Sequence, residues 1–349
     1  MIVGGGMVNQ NVKVGIQHNC TVDIIKFAAA ILVIFSHSFS LSNNSSDYLA
    51  RFISDASFGA VAVSIFFSFS GYYITRSIKH TDKRFLVKRL KRLLPELIVV
   101  VILTIFFVGP LFSKLSFKEY ILNKNTYLYL LNAIMIPYHT LPGVFTDNIH
   151  TTTVNGALWT LIVEFACYCF ICFAHKFLNV KRNKNTIIFV LTILISIIGY
   201  FLLEYFKIET LKAMIRPFII FNISSILYNY RDKINYKYFI SSFVAGVILI
   251  IIGKNISFNL FLILSLPIIL CYISNNININ YNKILSFMGQ ISYPVYLVGF
   301  VIQQSIISIF GGTMSPYTNF LISVPLSIIV GALVHLFTTK IMHKLKIAE

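Results

Sequence analysis

Apolar stretches of bilayer-crossing length recur along the whole chain, at 24–42, 58–78, 94–112, 157–177, 187–205, 213–229, 239–253, 257–273, 286–310 and 318–340. Inside hydrocarbon a backbone has no water to bond with, so each such stretch must satisfy its own amides as a helix. The expected fold class is therefore an all-α polytopic membrane protein with about ten transmembrane helices. Hydrophobic residues make up 57% of the 349 and charged residues 12%, and every segment between apolar runs is too short to build a separate soluble core. The segment YLYLLNAIMIP, at 127–137, is too short and too polar-flanked to span, and reads as a re-entrant or interfacial piece.

Charge orients the chain. The formal net charge is +17, but its Lys and Arg fall in short clusters between apolar runs, at 80–92, 179–185, 231–237 and 340–346. That distribution follows the positive-inside rule and not a nucleic-acid-binding face. With 127–137 not spanning, all four clusters fall on one side, read as the cytoplasm, together with both termini. The expected organisation is a cytoplasmic tail over 1–22, a transmembrane domain over 23–342 and a cytoplasmic tail over 343–349, multi-pass in the inner membrane. Residues 1–20 are polar, and no small-residue cleavage site follows the first apolar run, so the first helix reads as uncleaved. The longest outer segment, 113–156, carries His139, Asp147 and His150 and is a candidate acceptor mouth. The five cysteines show no disulfide framework and read as free thiols, three of them (Cys167, Cys169, Cys172) in one apolar run. No metal site is expected.

Few residues then remain to carry chemistry. His37 lies inside IIKFAAAILVIFSHSF, where an ionisable side chain is costly and faces a protein or water-filled interior. Asp23 and Lys26 stand at the start of the same run. Eleven residues separate Lys26 from His37, which on a helix is within about 20° of one face and roughly 16 Å along it. One stripe thus carries charge at one membrane face and an imidazole about halfway across; the plainer alternative is a histidine satisfied by a neighbouring helix. Ser70-Gly71, with Arg76 after it, permits close approach of backbone or substrate, or equally a small-residue packing site with a snorkelling arginine. Arg89 and Arg92, spaced i,i+3, project from one face beside Pro95 and suit phosphate oxygens, as they also suit lipid headgroups. Trp159 is placed at the outer interface. Glu164, a lone carboxylate in an apolar run, needs a histidine or arginine partner from another helix. Tyr293 and Tyr296 flank Pro294, with Gln303 and Gln304 deeper. No phosphate-binding glycine loop, dinucleotide fingerprint, HExxH or GxSxG is present.

In order, these pieces resemble the membrane-bound acyltransferase 3 family of bacterial O-acyltransferases. The matching residues are Asp23, Lys26 and His37; Ser70, Gly71 and Tyr72; Arg89, Arg92 and Pro95; Trp159, Leu161 and Glu164; and Gly289, Ser292, Tyr293, Tyr296 and Leu297. The resemblance implies transfer of an acyl group, most often acetyl, from cytoplasmic acyl-CoA to a hydroxyl of an extracytoplasmic glycan or lipid-linked saccharide. It implies that His37 is catalytic and that basic residues near the inner face hold the donor. Combined with the residue reading, Lys26, Arg76, Arg89 and Arg92 are the expected donor-binding set, and Glu164 is the expected partner that orients His37. Asp23, Ser70, Trp159, Tyr293 and Tyr296 are the expected supporting residues. Acyl-CoA enters as a substrate and no cofactor is held permanently; lipid, and no nucleic acid, is the other expected partner. The chain departs from the family pattern in having Lys26 for arginine, a point charge in place of a fork. It has Gly299 where a histidine often stands, and no glutamate-proline pair near its last span, where His335 lies. With no hydrolase-like domain appended, transfer is expected to finish in the membrane domain or on a separate protein. Two other classes compete: a proton-coupled transporter or flippase, which calls for an inverted repeat with paired broken helices, and an inactive relative acting in assembly.

Overall fold

The computed structural model describes residues 19–43, 47–53, 56–80, 85–177, 182–206 and 209–344. Most of the two expected tails, and parts of the basic clusters at 80–92, 179–185 and 340–346, lie outside the described residues. Among the described residues the chain is helical and has no β-strand, only an isolated bridge between Ser113 and Val144.

A helix occupies each of the ten apolar stretches. In chain order they are α1 (Cys20–Asn43), α2 (Phe58–His80), α3 (Phe85–Leu103), α4 (Trp159–Phe177), α5 (Arg182–Tyr205), α6 (Glu209–Asn229), α7 (Tyr236–Ile252), α8 (Leu266–Asn276), α9 (Lys283–Ile309) and α10 (Pro316–Lys344). Seven helical stretches among the described residues are long and apolar enough to cross a bilayer: 20–42, 58–78, 85–112, 156–174, 256–276, 283–309 and 316–344. The apolar parts of α5 (Ile187–Tyr200) and α7 are shorter, and α6 begins with Glu209, Lys212 and Arg216. Seven of the ten helices therefore qualify as spans on length and composition alone.

The basic cluster at Arg89 and Arg92 belongs to the same helix as the span that follows, because α3 runs through Pro95 without a break. Pro95 has no amide hydrogen, so the Lys91 carbonyl four residues back is released from the helical ladder beside the basic turn. Past Leu103 the helix widens into a π-helical turn, Thr104–Val108, and continues to Phe112. The stretch at 127–137 breaks up as its composition predicts: a five-residue helix and a 3₁₀ turn, Tyr129–Ile134, end at Met135 with φ 64°.

α1 packs on α9, α2 and α10, and its register against α9 organises the molecule. The two helices run parallel. Gly289 sits against Asp23, where a Cβ would come within 2.3 Å of the carboxylate. Further along, Gly299 sits against Ile34, where a Cβ would come within 2.8 Å. Gln303 Nε2 donates to the Ile34 carbonyl at 2.8 Å, and Phe300 meets His37. α4 runs the opposite way: Asn155, at its start, donates to the Leu297 carbonyl at 2.8 Å, and Tyr296 donates to the Ala157 carbonyl at 2.6 Å. These contacts set a ladder of levels from the end bearing the basic cluster to the opposite end.

Candidate active site

At the basic end the helices enclose a cavity of about 620 Å³. Its wall carries Lys26 of α1, Ser70 of α2, Arg89 and Arg92 of α3, Glu164 of α4, and Tyr293 and Tyr296 of α9. Seven of the eleven residues singled out from sequence therefore meet in one space. Lys88, Lys91, Glu96 and His335 also line it. Lys26, Lys88, Arg89, Lys91 and Arg92 face two carboxylates, Glu96 and Glu164, so the space has a positive excess suited to an anionic ligand.

Each charge is held by a specific contact. The Lys26 ammonium lies over the faces of Tyr73, 5.3 Å from the ring centre, and Phe69, 5.8 Å away. Ring quadrupoles attract such a cation once water is excluded, and Asp23 and Glu164 add opposite charge. Arg89 lies 5.5 Å from the Phe85 ring centre. Glu164 accepts hydrogen bonds from the Ser70 hydroxyl at 3.4 Å and from the Tyr168 hydroxyl, and it interacts with the charges of Arg92 and Lys26. On α9, the Tyr293 hydroxyl donates to the Leu93 carbonyl at 3.3 Å. The Tyr296 hydroxyl lies 2.7 Å from that of Thr160, and the edge-to-face Phe66 ring closes this end of the cavity.

The expected tie between Glu164 and His37 is not made. α4 enters from the far end, and Glu164 lies eight residues beyond Gly156, about 12 Å down the helix. That puts it level with Lys26, while His37 is level with Gly156. Among the described residues the His37 ring makes no hydrogen bond; it is half-buried and packs edge-on against Phe300, 5.1 Å between ring centres. His37 is therefore outside the cavity wall, one helical turn of α9 beyond Tyr296.

Three other expected residues also lie outside the cavity. Asp23 sits behind Lys26 against Gly289. Arg76, expected to bind donor, is half-buried near Tyr73 and does not reach the wall. Trp159 is half-buried at the far end, packed on the core. Gly71, next to Ser70, is a packing site: a Cβ there would fall 2.2 Å from the Phe221 carbonyl of α6.

Sequence reasoning passed over one polar cluster in the wall, of which Glu96 is the buried member. His335 of α10 sets Nδ1 2.7 Å from a Glu96 oxygen and Nε2 3.3 Å from the Gln290 side-chain oxygen, linking α10, α3 and α9. Glu96 and His335 each interrupt an apolar run, the same signal that marks His37.

In the segment 113–156, the candidate acceptor residues are engaged elsewhere. Asp147 pairs with Lys114, His150 Nε2 lies 3.1 Å from the Ser42 carbonyl, and His139 Nδ1 lies 3.5 Å from that of Asn155. The segment's own start is capped by Ser116, whose hydrogen bonds hold the exposed Glu119 carboxyl below the usual carboxylate range. The five cysteines form no disulfide, and no cluster of metal-ligating residues occurs among the described residues.

Comparison with known proteins agrees with this arrangement of motifs. A protein of Shigella phage Sf6 described as an O-acetyl transferase is 34% identical over 191 residues, 52% of this chain and 53% of the phage protein. Nodulation protein 10 of Rhizobium leguminosarum bv. viciae is 29% identical over 157 residues, 43% of this chain and 42% of that protein. The chain thus spans about half the length of these two relatives. No solved structure matches. The model of the acyltransferase 3 family, described as an acyltransferase domain, matches residues 21–336, taking in every helix from α1 into α10 and each of the motifs above. The chain belongs to the acyltransferase 3 family.

Proposed function

We propose that the protein is an integral-membrane O-acyltransferase that moves an acyl group, acetyl foremost, from cytoplasmic acyl-CoA to a hydroxyl of an extracytoplasmic glycan or glycan precursor. The observation that carries this reading is the ladder itself. A cationic cavity opens at the basic end, and an unbonded imidazole stands one turn past its far end. The basic end is the cytoplasmic one by the positive-inside rule. The phage relative's description as an O-acetyl transferase supports the choice of acetyl.

The phosphates of CoA dock on Arg89 and Arg92, whose guanidinium forks match phosphate oxygens, with Lys88, Lys91 and Lys26 adding charge. The flexible arm then runs along the Tyr293 and Tyr296 face of α9 and presents the thioester to His37. The acceptor hydroxyl attacks the thioester carbonyl, forming a C–O bond as the C–S bond breaks. The His37 imidazole takes the hydroxyl proton and returns it to the departing thiolate, giving the ester and free CoA. Glu164 works on the donor side in this scheme, balancing Lys26 and Arg92.

Membranes containing the protein, incubated with labelled acetyl-CoA and total cell-surface glycan, test the reading. Label should enter glycan with the wild-type chain and not with His37→Ala. Label that fails to enter with the wild type, or enters equally with both, would overturn it.

A further inference from the structure

Between the cavity and His37 the ladder has an apolar rung. Tyr296 and Thr160 form the far wall of the cavity, and one turn along α9 comes Phe300, about 6 Å further. Its ring is buried, 6% exposed, and touches two things that matter. One edge meets the His37 imidazole at an interplanar angle of 76°. The other fills the space left by Gly156: a Cβ on Gly156 would come within 2.8 and 2.9 Å of Phe300 Cε2 and Cζ. The wall around the ring cannot readily move aside, because Asn155 is tied to the Leu297 carbonyl and accepts from the Ala157 amide. On α9 the polar side chains one turn to either side of this level are Tyr296 and Gln304, both buried, and between them stands a phenyl ring.

We infer that Phe300, seated against Gly156, is the specificity-determining residue of the transfer: it sets the size of acyl group that can reach His37. This rests on the acyl-transfer reading above. The acyl carbon must pass the Phe300 edge to come within reach of the imidazole, and an acetyl group presents one methyl to a space bounded by ring, glycine and imidazole. Each added methylene meets the ring, and a methylene that a fixed apolar site cannot take is worth roughly tenfold or more in kcat/KM. The ring also stands between the cavity and His37, so it governs access of any small reagent from the cavity side.

The test uses the full chain in membranes with total cell-surface glycan, comparing acetyl-CoA and butyryl-CoA as competing donors. Wild type should favour acetyl. Phe300→Ala should raise butyryl relative to acetyl incorporation by about tenfold or more, and Phe300→Leu by less. Gly156→Ala, which pushes on the ring, should lower transfer from both donors. An unchanged donor ratio in a Phe300→Ala chain that still transfers acetyl would overturn the inference. A second readout is independent of turnover. Diethyl pyrocarbonate modification of His37, normalised to that of His335 in the cavity wall, should speed up several-fold in Phe300→Ala. An unchanged ratio there would overturn the inference even if no variant were active. Loss of transfer by the wild type with both donors would instead strike the acyl-transfer reading, leaving the modification ratio to judge the barrier.

Discussion

The two ends of this molecule are built on opposite principles. At the basic end, charged side chains face a cavity and are held by rings and single hydrogen bonds, with Lys26 over Tyr73 and Glu164 under Ser70 and Tyr168. Around the opposite ends of α1 and α9, uncharged amides knit loop to helix. Asn148 Nδ2 donates to both the Gln304 carbonyl and its side-chain oxygen, at 3.0 and 2.9 Å. Gln304 Nε2 in turn donates to the Thr151 and Thr153 carbonyls at 3.0 and 2.7 Å. Excess charge in a cavity costs stability unless a ligand of opposite sign repays it. Hydrogen bonds between uncharged amides stabilise with no ligand at all, although the Asn148 side-chain oxygen finds no donor among the described residues. One end is arranged to receive something; the other is a frame that holds its loop in place.

The largest effect should come from the residue between the two ends. In the proposed mechanism His37→Ala removes the imidazole that takes the acceptor proton, and acyl incorporation should fall about 10²- to 10⁴-fold. Wild-type turnover by the purified variant would remove His37 from the mechanism.

Next come the arginines. In the proposed docking Arg89→Ala and Arg92→Ala each delete a charge-assisted contact worth about 1.5–3 kcal/mol, so CoA titrated by calorimetry should bind roughly tenfold or more weaker in each. The loss should shrink as salt rises, since part of it is screened Coulomb attraction. Unchanged dissociation constants would return both residues to ordinary positive-inside anchors.

The frame responds differently. Asn148→Ala leaves the buried Gln304 oxygen without its donor, a loss of about 1–3 kcal/mol, visible as a lower unfolding temperature with CoA affinity unaltered. Weakened CoA binding without a drop in unfolding temperature would erase the distinction between the two ends.

Glu164→Gln should have the smallest effect. If the cavity takes CoA phosphates as proposed, removing one carboxylate from it should tighten CoA binding by a few-fold, and the pH–rate profile should keep its acid limb in place. A displaced limb would mean that Glu164 couples to His37 after all.

Much of the fold is legible in the apolar runs, because helix formation in hydrocarbon is dictated by the backbone itself and needs no partner. The count of spans is less so. α5 and α7 are helical where expected, yet their apolar parts fall short of a full crossing. Site composition was legible for Lys26, Arg89, Arg92 and Glu164, since charge in or beside an apolar run demands an enclosed space. Pairing was not, because it depends on the level at which each helix presents its residue. Glu164 is deep on α4, but α4 runs opposite to α1, so its depth is counted from the other face and lands on Lys26. Glu96 and His335 carry the same mark as His37, and only the packing of α3 against α10 shows that they belong to one another. Gly299 is explained by packing as well: Ile34 fills the space a side chain would need.

The central claim is that donor binding and acyl transfer occupy different levels of one ladder, and titration of CoA into purified His37→Ala tests it most directly. The variant should bind CoA within about twofold of wild type while losing turnover, because the imidazole meets only the transferring group and none of the phosphates. A dissociation constant weakened tenfold or more, in a variant of unchanged unfolding temperature, would place His37 among the donor contacts and contradict the account.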